Sequence, residues 1–129
     1  MREQNVVLVV EDEPIIRLDL IDTLEGAGFR TLEAGSAAEA IALLERHPEI
    51  RVVFTDVQMP GTMDGIALAK CVRERWPPAI IVVSSGKVVF QPGELPDNIP
   101  TLAKPYDQSR LEQVIADVGA RAVSNHTHP

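Results

Sequence analysis

The sequence predicts an α/β fold, a doubly wound parallel sheet of five strands in the order 2-1-3-4-5 with helices on both faces. Two observations predict it. Short apolar runs alternate along the chain with longer stretches of helical periodicity, the pattern of successive βα units. Three of the runs, at 6–10, 52–54 and 80–83, are continuously apolar and rich in Val and Ile, as in strands covered on both faces. The weaker runs at 31–32 and 101–103 fit the sheet edges. Size and composition agree: 129 residues suit one domain, and 45% hydrophobic with 24% charged residues is ordinary for a globular chain.

Each element carries its own signals. The first strand, 6–10, leads into a helix that begins at Pro14, a favoured first-turn residue. That helix stacks Ile16, Leu20 and Leu24, and Gly26 and Gly28 stop it. After the strand at 31–32, Ser36 and Glu39 form a capping box for the second helix. It buries Ala37, Ala40, Ile41 and Leu44 and ends at His47-Pro48. The third helix starts near Asp64 and runs toward Arg75 with Ile66, Ala69 and Val72 inward; Pro77-Pro78 closes it. Between the fourth and fifth strands, Pro92, Gly93 and Pro96 forbid a long regular helix, so an irregular or shortened fourth helix is expected. The last helix carries a second capping box, Ser109 to Glu112, then Leu111, Val114, Ile115 and Val118. The apolar pattern ends near Ala122. Residues 1–122 are therefore expected to form the domain and 123–129 a disordered polar tail, with no room for an output domain.

Charge and cysteine usage exclude several classes of function. Twelve basic against nineteen acidic residues give a net charge of −7, which disfavours nucleic acid and anionic lipid as partners. The single cysteine, Cys71, excludes an internal disulfide framework and suits a reducing compartment. The longest apolar runs fall far short of the ~20 residues of a membrane span. A cytoplasmic location is expected.

In an open parallel sheet, ligands bind beyond the carboxyl ends of the strands. Here those ends read Glu11-Asp12-Glu13, Asp56, Ser84-Ser85 and Lys104-Pro105. Carboxylates crowded at one rim repel each other unless a cation is present. A hard divalent ion such as Mg2+ relieves this while keeping waters for a phosphate to displace. A lysine and a hydroxyl can each hold a phosphoryl oxygen. The set suits an aspartate that accepts a phosphoryl group.

These residues, with Asp64-Gly65, resemble a response-regulator receiver domain of a two-component system, over a stretch from about Val6 to about Ala122. The resemblance implies a flavodoxin-like fold and roles residue by residue. Asp56 would be the phosphoacceptor. Asp12 would bind Mg2+ directly and Glu11 mostly through water, with Asp56 and the backbone carbonyl of Gln58 completing the protein ligands. Lys104 and Ser84 would hold the phosphoryl group, Ser84 being favoured over Ser85 because it directly follows the apolar strand. The implied donor is a histidine kinase or a histidine phosphotransfer protein, and the implied output is altered docking to a downstream protein or phosphoryl relay. A departure is Thr101, which stands where many receivers have an aromatic switch residue; the nearby aromatic is Tyr106.

Three functions compete. The first is a stand-alone phosphorylatable receiver, not itself an enzyme beyond self-dephosphorylation. The second is a binding module of the same fold that needs no phosphorylation; the intact acidic set and Lys104 argue against it. The third is an aspartyl-phosphate phosphatase. That reading lacks the Asp-x-Asp such enzymes place after the first strand, since Glu11-Asp12-Glu13 stands there.

Overall fold

The computed structural model describes residues 6–57, 64–85, 93–95, 99–104 and 108–127, without the side chains of 108, 119 and 121–127. Strands β1 (Val6–Val10), β2 (Arg30–Ala34), β3 (Ile50–Asp56), β4 (Ile80–Ser85) and β5 (Thr101–Ala103) pair in parallel in the order β2-β1-β3-β4-β5. Helices α1 (Pro14–Gly26), α2 (Ala37–Arg46), α3 (Gly65–Arg75) and α4 (Gln108–Thr127) complete the described elements. The three apolar runs form the centre of the sheet and the two weaker runs its edges, as expected.

The two-residue period of a strand divides the core in two. Val7, Val9, Val52, Phe54, Ile80, Val82 and Leu102 pack with Leu20 and Leu24 of α1 and Leu111, Val114, Ile115 and Val118 of α4. Val6, Leu8, Val10, Val53, Ile81 and Val83 pack with Ala37, Ala40 and Leu44 of α2 and Leu68, Ala69 and Val72 of α3. One side of the sheet thus belongs to α1 and α4, the other to α2 and α3. Between Val6 and Val7 the register against β3 shifts to accommodate Arg51, which keeps Ile50 in the second cluster.

The helix ends follow local chemistry. Pro14 opens α1, and at its other end Phe29 N–H bonds to the Leu24 carbonyl while Gly28 N–H bonds to Glu25. Gly28 takes φ +99°, so this is a Schellman stop with Phe29 packed back on Leu24. Ser36 caps α2 by accepting from Glu39 N–H at 3.2 Å, and the Glu39 carboxylate reaches back to Gly35 N–H at 2.8 Å. Asp64 caps α3 by accepting from Ala67 N–H at 2.9 Å.

Several expectations are corrected. In α3 the buried stripe is Gly65, Leu68, Ala69 and Val72, while Ile66 is only half-buried. The helix is turned because Gly65 itself is pressed against the end of β3. Ile41 of α2 is likewise half-buried. Ser109 lies inside the first turn of α4, which begins at Gln108, so it does not cap that helix. Helix α4 also continues to Thr127, where a disordered tail was expected from 123. Ala120, Arg121 and Ala122 are strong helix formers, and no Gly or Pro interrupts the backbone after Gly119 until Pro129. In the connection between β4 and β5, residues 93–95 form a turn and bend, and no helix is found among the described residues. The rest of the expected irregular segment, 86–92 and 96–98, lies outside them. Among the described residues no helix is long and apolar enough to cross a membrane.

Candidate functional site

The strand period that splits the core also gathers the site. Glu11 continues the series Val7, Val9; Asp56 continues Val52, Phe54; Ser84 continues Ile80, Val82; and Lys104 follows Leu102 by two. All four therefore leave the carboxyl edge of the sheet on the α1/α4 side. The ladder agrees, with Asp56 opposite Ser84 and Ser84 opposite Leu102. Ser85 continues the series Ile81, Val83, on the α2/α3 side.

At the rim, Lys104 Nζ donates to Asp56 Oδ2 at 2.9 Å and stands 4.0 Å from Glu11 Oε2. Asp56 is 7% exposed and Glu11 4%, whereas Asp12 is open to solvent. Burial, above all, pushes the Glu11 carboxyl up to about 7. The Glu13 N–H pulls it back, the Asp56 charge raises it, Lys104 lowers it, and a hydrogen bond with Asp12 raises it again. Glu13 occupies the N-cap of α1 without a side-chain cap bond. The Glu13 N–H donates to Glu11 Oε1 at 3.2 Å.

Backbone bonds hold the loops beneath. Val57 N–H donates to the Ser84 carbonyl at 2.9 Å, and Lys104 N–H to Ser85 at 2.7 Å. Gly65 N–H donates to the Val57 carbonyl at 2.7 Å. A Cβ on Gly65 would lie 2.7 Å from the Asp56 carbonyl carbon and from Val57 Cα, and closer still to the Asp56 oxygen. Only glycine lets α3 start this near the aspartate.

Glu11, Asp12 and Asp56 each offer one carboxylate oxygen, all within 4.8 Å of one another. Oxygens on opposite sides of one Mg2+, each at ~2.1 Å, are roughly 4.2 Å apart, so small side-chain adjustments suffice. An all-oxygen, anionic donor set fits a hard divalent cation and not a thiophilic metal. Gln58, the expected fourth ligand, lies outside the described residues, as do Pro105 and Tyr106. Thr101 is half-buried at the start of β5.

Three features escaped the sequence. Gly65 figured only as part of a motif, because a steric need for glycine is visible only once its neighbour is known. Ile15 and Leu18 stand 84% and 60% exposed on the first turns of α1, beside the acidic pair. Their i,i+3 spacing off the Ile16/Leu20/Leu24 stripe was the available signal. Arg17, whose Nη1 donates to the Glu11 carbonyl at 2.7 Å, gave no signal, since a lone basic residue on a helix reads as solvated surface.

The family model for the response regulator receiver domain matches residues 7–116. The hydrogenase transcriptional regulatory protein HoxA of Cupriavidus necator is 45% identical over 65% of the chain. The DNA-binding transcriptional regulator NtrC of Escherichia coli is 33% identical over 96%. The chain spans only 17% and 26% of those two relatives. A response regulator receiver protein from Sinorhizobium medicae superposes with a TM-score of 0.83 at 30% identity, over 95% of this chain and 98% of that one.

Proposed function

The chain belongs to the response regulator receiver domain family, and from that premise we propose that Asp56 accepts a phosphoryl group from a histidine kinase or histidine phosphotransfer protein. The observation that carries the reading is the convergence of Asp56 with Glu11, Asp12 and Lys104 at one rim. In the transfer, the P–N bond of a phosphohistidine breaks, an O–P bond to Asp56 forms, and the histidine nitrogen keeps the electron pair. Lys104 orients the carboxylate through Oδ2 and meets the charge of the incoming oxygens. The Ser84 hydroxyl, across the ladder from Asp56, donates to another oxygen. Glu11, Asp12, Asp56 and the Gln58 carbonyl would hold Mg2+, which supplies the positive charge that lets acidic groups and phosphate share one site. Nothing is released but the spent donor, so the protein is a phosphoacceptor and not an enzyme.

The exposed pair Ile15 and Leu18, within two helical turns of the rim, supports docking of the phosphodonor against α1. Output is altered docking to a downstream protein or onward relay. The test is intact-protein mass after incubation with acetyl phosphate, with and without Mg2+. A gain of one phosphoryl group that needs Mg2+ and is absent from Asp56→Asn is expected. No gain in folded, Mg2+-binding protein would favour a binding module that works without phosphorylation.

A further inference from the structure

Helix α1 carries one side chain that reaches back to the loop it grew from. Arg17 Nη1 donates to the main-chain carbonyl of Glu11 at 2.7 Å. Its Nε donates to Glu33 Oε1 of β2 at 2.9 Å. Arg17 is 21% exposed and Glu33 59%. The Glu33 contact is thus an open surface ion pair of the kind that adds little. The Glu11 contact is different, because it grips the Glu11–Asp12 peptide. The Glu11 N–H is already fixed to the Ala34 carbonyl at 3.0 Å, and Glu11 Oε1 to the Glu13 N–H. To these main-chain ties Arg17 adds a side-chain hydrogen bond on the Glu11 carbonyl.

We propose that Arg17 is a positioning residue for the cation site: its hydrogen bond to the Glu11 carbonyl sets the peptide from which Glu11 and Asp12 aim at Asp56. The proposal rests on the reading of that acidic rim as a Mg2+ site. A planar guanidinium suits the task, since it serves Glu33 and the carbonyl at once, which a point-charge ammonium cannot do in the same geometry. Outer partners that orient metal ligands typically change affinity about 10–100-fold when removed.

Charge and positioning make opposite forecasts. Were Arg17 only a positive charge near three carboxylates, deleting it would tighten cation binding. As a positioning residue, its loss loosens the loop and weakens binding. The experiment compares the wild type with Arg17→Met and Glu33→Gln by Mg2+ calorimetry. Amide hydrogen exchange at Asp12 and Glu13 is followed in metal-free samples of the same proteins. Gly28→Ala, which disturbs the far end of α1, controls for general loss of stability. Arg17→Met should bind Mg2+ about tenfold or more weakly and exchange those two amides about tenfold faster. Glu33→Gln and Gly28→Ala should stay within roughly threefold of the wild type. Equal or tighter Mg2+ binding by Arg17→Met, or unchanged exchange, would overturn the proposal. If the wild type bound no Mg2+, the reading of the rim would fail, and the exchange comparison would still decide what Arg17 does.

Discussion

Replacing Glu11 by Gln is expected to stabilise the metal-free protein above neutral pH and to flatten its pH dependence. In the fold the Glu11 carboxyl rises from 4.5 to about 7, chiefly because burial penalises its charged form. Between those values the folded chain keeps a proton that the unfolded chain has released. Stability from this group is therefore full below pH 4.5 and is lost as pH rises to about 7. At ~1.4 kcal/mol per pH unit the loss is on the order of 3 kcal/mol. That is a large part of the ~5–15 kcal/mol holding a typical domain together. Gln keeps an oxygen for the Glu13 N–H and carries no charge, so the variant should hold the low-pH level throughout. Urea midpoints between about pH 5 and 8 in chelator would show this. Trp76, the one tryptophan, lies 4.4 Å beneath Arg75 and serves as the reporter. Added Mg2+ should narrow the gap by stabilising the wild type, which has the full carboxylate set. A Gln variant no more stable than wild type at pH 8 without metal would show that the buried Glu11 charge does not destabilise the fold.

Other substitutions probe the rest of the frame. Gly65→Ala should cost roughly 3 kcal/mol by urea unfolding, because the new methyl meets the main chain of Asp56 and Val57 and not a yielding side chain. It should also slow phosphorylation in whatever fraction stays folded. Lys104→Met should slow phosphoryl transfer from acetyl phosphate on the order of 100-fold. The same change should tighten Mg2+ a few-fold, since it removes a cation 2.9 Å from Asp56 and 4.0 Å from Glu11. Gly28→Ala should lower stability by ~1 kcal/mol, measured by chemical denaturation, as alanine is strained at φ +99°.

Much of the fold was legible because strands buried on both faces leave continuous Val and Ile runs that nothing else in a chain of this size explains. The same continuity hides the side on which each residue points. The register sets Ser84 opposite Asp56, and strand alternation sets Ser85 on the other side of the sheet. In α3 Ala69 and Val72 are buried as their spacing predicts, and sterics outrank hydropathy only at the start of the helix. A buried Gly65 turns α3 so that Leu68 goes in and Ile66 partly out. Helix ends were legible where a capping side chain was local, as at Ser36 and Asp64. The end of α4 was not, because a polar composition does not by itself stop a helix. The carboxylates and Lys104 stood out by their place after strands. Arg17 did not, because its partner is a carbonyl, which every residue has.

Whether Asp56 is the phosphoacceptor is decided by locating the modification. Protein treated with acetyl phosphate and Mg2+ is reduced with borohydride, which converts an acyl phosphate to an alcohol, and its peptides are sequenced by mass. Homoserine at position 56 alone, dependent on Mg2+, is the predicted result. Modification at Asp12 or Glu11 instead, or reduction at no carboxylate in protein that binds Mg2+, would contradict the assignment of Asp56 as the phosphoacceptor.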